Sequence, residues 1–114
     1  MIIMEKYSFE EGKISKIVAD ESALTITIKQ WNNKELILIV KDYMRVYDYN
    51  CIGREISEYK ILVDSTLLEE EKKEMKLIGY SEKEYINLIH LQFLSYDDLL
   101  LLDLIANKDS IVIT

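Results

Sequence analysis

Leu24-Thr25-Ile26-Thr27-Ile28 alternates apolar and polar side chains at every step. After a turn at Asn32-Asn33 the chain runs through Leu36-Ile37-Leu38-Ile39-Val40, five apolar residues in succession. These two segments restrict the fold more than any others. Period-two alternation is what a strand with one buried face requires. A short apolar run rich in β-branched residues and bounded by turn residues predicts a central strand covered on two sides.

The same logic extends along the chain. Lys13 to Ala19 alternates, and Asp20-Glu21-Ser22 supplies a hairpin turn before Leu24 to Gln30. Tyr43 to Tyr49 alternates again, which predicts Tyr43, Arg45, Tyr47 and Tyr49 on one face. Tyr59 to Val63 reads as a short strand. The pattern then changes to a helix over residues 65–78: Thr66 and Glu69 have capping-box spacing, and Leu67, Leu68, Met75 and Ile78 form an apolar stripe. Glu69 to Glu71 lie on its solvated start, and Gly79 is placed as a terminating C′ glycine. Ser81 and Glu84 also have capping-box spacing, but the apolar residues from Ile86 to Leu94 have no clean helical period, so a short turn and then a strand are expected. Turns at Ser95-Tyr96-Asp97-Asp98 and Asn107-Lys108-Asp109 separate two further strands, Leu99 to Ile105 and Ser110 to Ile113. The expected fold class is α+β: one domain over residues 1–114, mostly antiparallel, with seven or eight short strands forming a sandwich or partly open barrel and one inserted helix.

Charge narrows the function classes. The net charge is −7, which disfavours a surface built to neutralise nucleic-acid phosphates. Residues 1–57 carry 8 basic and 9 acidic side chains and residues 58–114 carry 6 and 12, so the acidity is concentrated in the second half. Such asymmetry steers cationic partners, although it also serves ordinary solubility. The longest apolar runs are far shorter than the roughly 18 residues of a membrane span. Met1 to Lys6 lacks the basic and apolar regions of an export signal. Together with the single cysteine, this leads to the expectation of a cytoplasmic, reducing location. Many lysines, few arginines and no proline fit the codon bias of an AT-rich bacterial genome.

Catalytic and metal patterns are thin. Three isolated glycines, Gly12, Gly53 and Gly79, cannot build a phosphate-binding loop. His90 is the only histidine. A triad would need it beside Asp97, Asp98 or Asp103 and a serine such as Ser57 or Ser95, yet no G-x-S-x-G elbow is present. Cys51 with His90 is the minimal cysteine-nucleophile pair, and the plainer reading of each is a packed or solvated side chain. Asp48-Tyr49-Asn50 is only a fragment of a calcium loop. No catalytic residue, metal ligand or cofactor is therefore assigned; an enzyme using His90 with Cys51 or a nearby carboxylate is the alternative.

The Tyr43, Arg45, Tyr47 and Tyr49 face is the most informative feature, because tyrosine and arginine dominate interface hot spots. Cross-strand packing within the sheet is the plainer explanation. Trp31 has the same two readings. The order of two strands, "QWNNKELILIVKDYMRVYDY", "IGREIS", a helix, "LIHLQF" and a terminal strand pair resembles small bacterial immunity-type proteins of polymorphic and contact-dependent toxin systems. That resemblance implies a non-enzymatic cytoplasmic inhibitor whose partner is a protein, a basic toxin domain, with neither nucleic acid nor membrane involved. Tyr43, Arg45, Tyr47 and Tyr49 are then the expected anchors, and Asp97 and Asp98 the expected steering charges.

Overall fold

The computed structural model describes Phe9 and residues 11–114. The segment Met1 to Lys6, read above for an export signal, lies outside the described residues. Among the described residues there are eight strands and two helices: β1 (Lys13–Ala19), β2 (Ala23–Lys29), β3 (Glu35–Lys41), β4 (Arg45–Asp48), β5 (Glu58–Leu62), α1 (Thr66–Leu77), α2 (Glu82–Tyr85), β6 (Leu88–Leu94), β7 (Leu100–Asn107) and β8 (Ile111–Ile113). They form two four-stranded sheets, in the orders β1-β2-β3-β8 and β4-β7-β6-β5. Every strand pair is antiparallel, and neither sheet closes into a barrel.

The alternation read from Leu24 to Ile28 decides the inner face of the first sheet. Leu24, Ile26 and Ile28 are fully buried, and their partners across the ladder are Val40, Leu38 and Leu36. From the second sheet Ile89, Leu91, Phe93, Leu102, Leu104 and Ala106 meet them in one cluster, joined by Phe9, whose ring lies edge-on to Tyr59 at 5.3 Å. Gly12 belongs to this packing: a Cβ there would stand 2.8 Å from Ile28 Cγ2, so only glycine lets the chain pass so close.

Three expectations need correction. β3 is interior to its sheet, but it is not covered on both sides: Leu36, Leu38 and Val40 are buried while Ile37 and Ile39 stay half-buried. The reason is that α1 packs on the other sheet, so among the described residues no helix covers the outer face of the first. The capping box expected of Thr66 and Glu69 does not form: Ser65 is the N-cap, and its Oγ accepts from the Leu68 amide at 3.2 Å. The buried stripe of α1 is Leu68, Glu71 and Met75, with Leu67 partly covered. Ile78, placed in that stripe by spacing, is 69% exposed. It is the C-cap of a Schellman turn in which the Gly79 amide reaches Lys76 O and the Tyr80 amide reaches Met75 O, and this turn carries Ile78 off the sheet. Gly79, with φ 102°, terminates the helix as expected.

The ambiguous segment after Gly79 resolves into both readings in succession. α2 is a single turn in which the Ser81 amide donates to Glu84 Oε2 at 2.7 Å, and β6 begins three residues after it. Its residues defeat helical periodicity because β6 is buried on both faces, against the first sheet on one side and α1 on the other.

Candidate functional site

The outer face of the second sheet carries the polar chemistry. Strand register lines up Leu62, His90, Ile105 and Arg45 in one row across β5, β6, β7 and β4, and Lys60, Gln92, Asp103 and Tyr47 in the next. Helix α1 lies over the first row. Leu68 and Met75 pack with Leu88 and Ile105, and Met44 joins them at the edge.

Two polar assemblies tie the helix to the sheet. In the first, the Arg45 guanidinium donates to Glu71 Oε2 through Nε and to Glu74 Oε2 through Nη2 at 2.7 Å. Burial opposes the arginine's charge, but the hydrogen bond and charge of Glu71 outweigh it and raise its pKa further. Glu71 is therefore not part of a solvated glutamate run; it is buried against its partner. In the second, Ser65 Oγ stands 2.7 Å from His90 Nδ1, and His90 Nε2 stands 2.7 Å from Asp103 Oδ1. Gln92 Nε2 donates to the same carboxylate oxygen at 3.0 Å, and the Tyr49 hydroxyl donates to Asp103 Oδ2 at 3.0 Å. With Asp103 as the acceptor, His90 Nε2 carries a proton and donates to it, while Nδ1 and the Ser65 hydroxyl share the second hydrogen bond. His90 and Asp103 are each only 4% exposed, and no buried side-chain polar atom among the described residues lacks a partner.

The four residues expected on one face divide. Arg45 and Tyr47 lie on the outer face, and Tyr49, just past the strand, bends its hydroxyl onto the same side. Tyr43 does not join them. It packs against the inter-sheet cluster and its hydroxyl donates to the Asp20 carbonyl at 3.2 Å, because the turn at Asp42 (φ 51°) breaks the alternation before β4 begins. Arg45 is largely consumed by Glu71 and Glu74, whereas Tyr47 and Tyr49 are 41% and 46% exposed. The acceptor on Asp103 pushes the Tyr49 phenol above its usual range, with burial adding to the effect. Asp97 and Asp98 are exposed in the β6–β7 turn, where Ser95 Oγ accepts from the Asp97 and Leu99 amides.

Of the triad residues considered, only Asp103 reaches His90. Asp97 and Asp98 belong to the distant turn, Ser95 caps that turn, and the serine that meets the imidazole is Ser65. Sequence reasoning missed Ser65. The signal available was the pairing of Leu62 with His90, which brings the residues after β5 to the histidine, but that register is visible only in the folded sheet.

Cys51 and His90 are not a pair. Cys51 is fully buried in the inter-sheet cluster, whereas His90 points to the opposite face of the second sheet. Burial first, and then the nearby Asp48, push the Cys51 thiol up to about 12. We expect native protein at pH 8 to resist a thiol reagent such as DTNB and to react only when unfolded in denaturant; stoichiometric labelling of the native state would contradict this burial. Asp48, the head of the calcium-loop fragment, is occupied as an Asx turn: its Oδ1 accepts from the Cys51 amide at 2.9 Å, which holds its carboxyl below the usual range. Asp20 is lowered in the same way by the Ser22 and Ala23 amides. Because both carboxyls are depressed in the folded state, their contribution to stability is complete above the ordinary carboxylate range and disappears as pH falls through the folded-state values. Melting temperature should therefore drop between roughly pH 5 and 2, and Asp48→Asn should flatten that slope. Among the described residues no three His, Cys, Asp or Glu side chains are grouped to hold a metal ion, and no helix is long and apolar enough to cross a membrane.

No protein-family description, curated protein or solved structure matches this chain.

Proposed function

We propose that this protein is a non-catalytic binding module for a protein partner, acting through the outer face of its second sheet in the manner of an immunity protein that covers a basic toxin domain. One observation carries the reading. Tyr47 and Tyr49 stand exposed side by side on the same face, and Tyr49 is held from beneath by Asp103, itself fixed by His90 and Gln92. Arg45, locked to α1, reaches the Tyr47 hydroxyl at 3.5 Å. Aromatic side chains already fixed in place lose little freedom on binding, which is the property expected of interface anchors. The exposed acids Asp97 and Asp98 supply charge of the sign that attracts a basic partner. A cytoplasmic location and a bacterial source belong to this proposal.

The test separates anchoring from steering. A partner is first isolated by cross-linking, with the product of the adjacent reading frame as the leading candidate, and its kinetics are then measured by surface plasmon resonance at two salt concentrations. Tyr47→Ala should raise the dissociation rate by about tenfold or more, and the double variant Asp97→Asn with Asp98→Asn should slow association and flatten its salt dependence. Unchanged dissociation for Tyr47→Ala removes this face from the interface.

A second reading, acyl transfer at Ser65, is favoured by the unbroken Ser65–His90–Asp103 chain. The partly exposed serine sits at the N-terminus of α1, with the imidazole on one side. Two facts weigh against it: Ser65 Oγ already accepts from the Leu68 amide, and the clefts of ≈ 810 Å³ and ≈ 490 Å³ are lined by other residues. Covalent labelling by a fluorophosphonate that is lost in Ser65→Ala would establish the second reading; an unlabelled protein leaves the first.

A further inference from the structure

At one end of the sandwich the turn between β2 and β3 meets the turn between β6 and β7, and together they border a cleft of ≈ 810 Å³. Trp31 from the first turn and Tyr96 from the second line it, at 76% and 51% exposure. The fold does not need this tryptophan. It belongs to neither apolar cluster, and its turn is closed by others: Asn32 Oδ1 accepts from the Lys34 amide at 3.0 Å, and Asn33 takes the left-handed conformation with φ 65°. A large apolar ring left in water beside a cleft is an unsatisfied contact surface.

The rest of the lining specifies the ligand's chemistry. Among the described lining residues Lys13 and Lys29 bring positive charge and Glu11 and Glu55 bring negative charge, so their charges balance. An anion would face two carboxylates and a cation two ammonium groups. Asn33 adds an amide that both donates and accepts. Neutral polyhydroxylated ligands match such a lining: each hydroxyl donates and accepts at once, and the C–H face of a sugar ring is apolar enough to lie on an indole. The volume falls within the range of small-molecule sites.

We propose that this cleft binds a neutral saccharide, with one sugar ring stacked on Trp31 and its hydroxyls shared among the lysine, glutamate and amide side chains. This site lies apart from the Tyr47–Tyr49 face and does not depend on its role.

Trp31 is the single tryptophan, so fluorescence excited at the red edge of the absorption band, where the eight tyrosines hardly absorb, reports this cleft. Titration with maltohexaose, cellohexaose and chitohexaose should give a saturable change in intensity or wavelength for at least one of them. Tyr96→Ala should weaken that binding about tenfold in protein that still melts cooperatively. Glu55→Gln provides a second variant with the same expectation, and Tyr47→Ala should leave the titration unchanged. The proposal is overturned if none of the three sugars gives a saturable response up to about 10 mM. It is equally overturned if an oligolysine or oligoglutamate peptide saturates the signal in their place, or if folded Tyr96→Ala and Glu55→Gln bind as tightly as the wild type.

Discussion

Leu38→Asp is expected to leave a chain with no cooperative unfolding transition. Leu38 is 1% exposed at the centre of β3, between Ile26 on β2 and Ile113 on β8, and it faces the second sheet. Losing its burial costs about 2–3 kcal/mol, and an unpaired carboxylate in an apolar interior costs several more. A domain of this size has about 5–15 kcal/mol to lose. The neighbouring residue provides the control. Ile39 is half-buried on the uncovered face, so Ile39→Thr should cost only about 1 kcal/mol despite being one position away. Circular dichroism and urea titration of the two variants check this parity. A folded, cooperatively melting Leu38→Asp protein would mean that β3 has been assigned the wrong inner face.

Asp103→Ala should be the second most damaging substitution, through a different mechanism. The carboxylate accepts from His90, Gln92 and Tyr49, and His90 is almost wholly out of water. Removing the acceptor strands a buried donor and loosens two others, at a cost of about 3–5 kcal/mol. The loss should fall on the partners rather than on the site itself. Replacing both residues, as in His90→Leu with Asp103→Leu, should therefore be less harmful than Asp103→Ala alone, because the buried imidazole is removed with its acceptor and only the part-exposed Gln92, Tyr49 and Ser65 groups must find water. A double-mutant cycle by urea unfolding measures the coupling. A cost below about 1 kcal/mol for Asp103→Ala would show that water takes the place of the carboxylate. The same variant should free the Tyr49 ring, so an effect of Asp103→Ala on partner dissociation beyond its effect on stability is expected under the binding reading.

The parity of a strand was legible wherever one face is buried. Leu24, Ile26 and Ile28 were identifiable as core from alternation alone, since a shift by one residue would expose all three. Gly79 was legible as a helix stop because few residues other than glycine take φ 102° at low cost. Turn chemistry placed Asp20-Glu21-Ser22 and Ser95 to Asp98, where short polar side chains bond their own backbone. These features are local, and their physical causes lie within a few residues of chain.

What lay beyond the sequence involves contacts between segments far apart. The one-residue choice between Ser65 and Thr66 as N-cap is visible only in the fold, where His90, 25 residues on, also engages the Ser65 hydroxyl. Glu71 looked like a solvated charge because its partner, Arg45, sits 26 positions earlier on another element. Tyr43 left the tyrosine face because Asp42 closes a turn against the β1–β2 hairpin. Whether α1 would cover the outer face of β3 depended on which sheet that helix packs against. Local sequence determined which residues form strands, where the helix stops and which side of β2 is apolar, because backbone geometry and solvation act residue by residue. The buried Ser65–His90–Asp103–Tyr49 chain, the Arg45–Glu71 pair and the exposure of Tyr47 and Trp31 were decided only by tertiary structure, because a polar group's partner and a ring's exposure are properties of whichever surface packs against it.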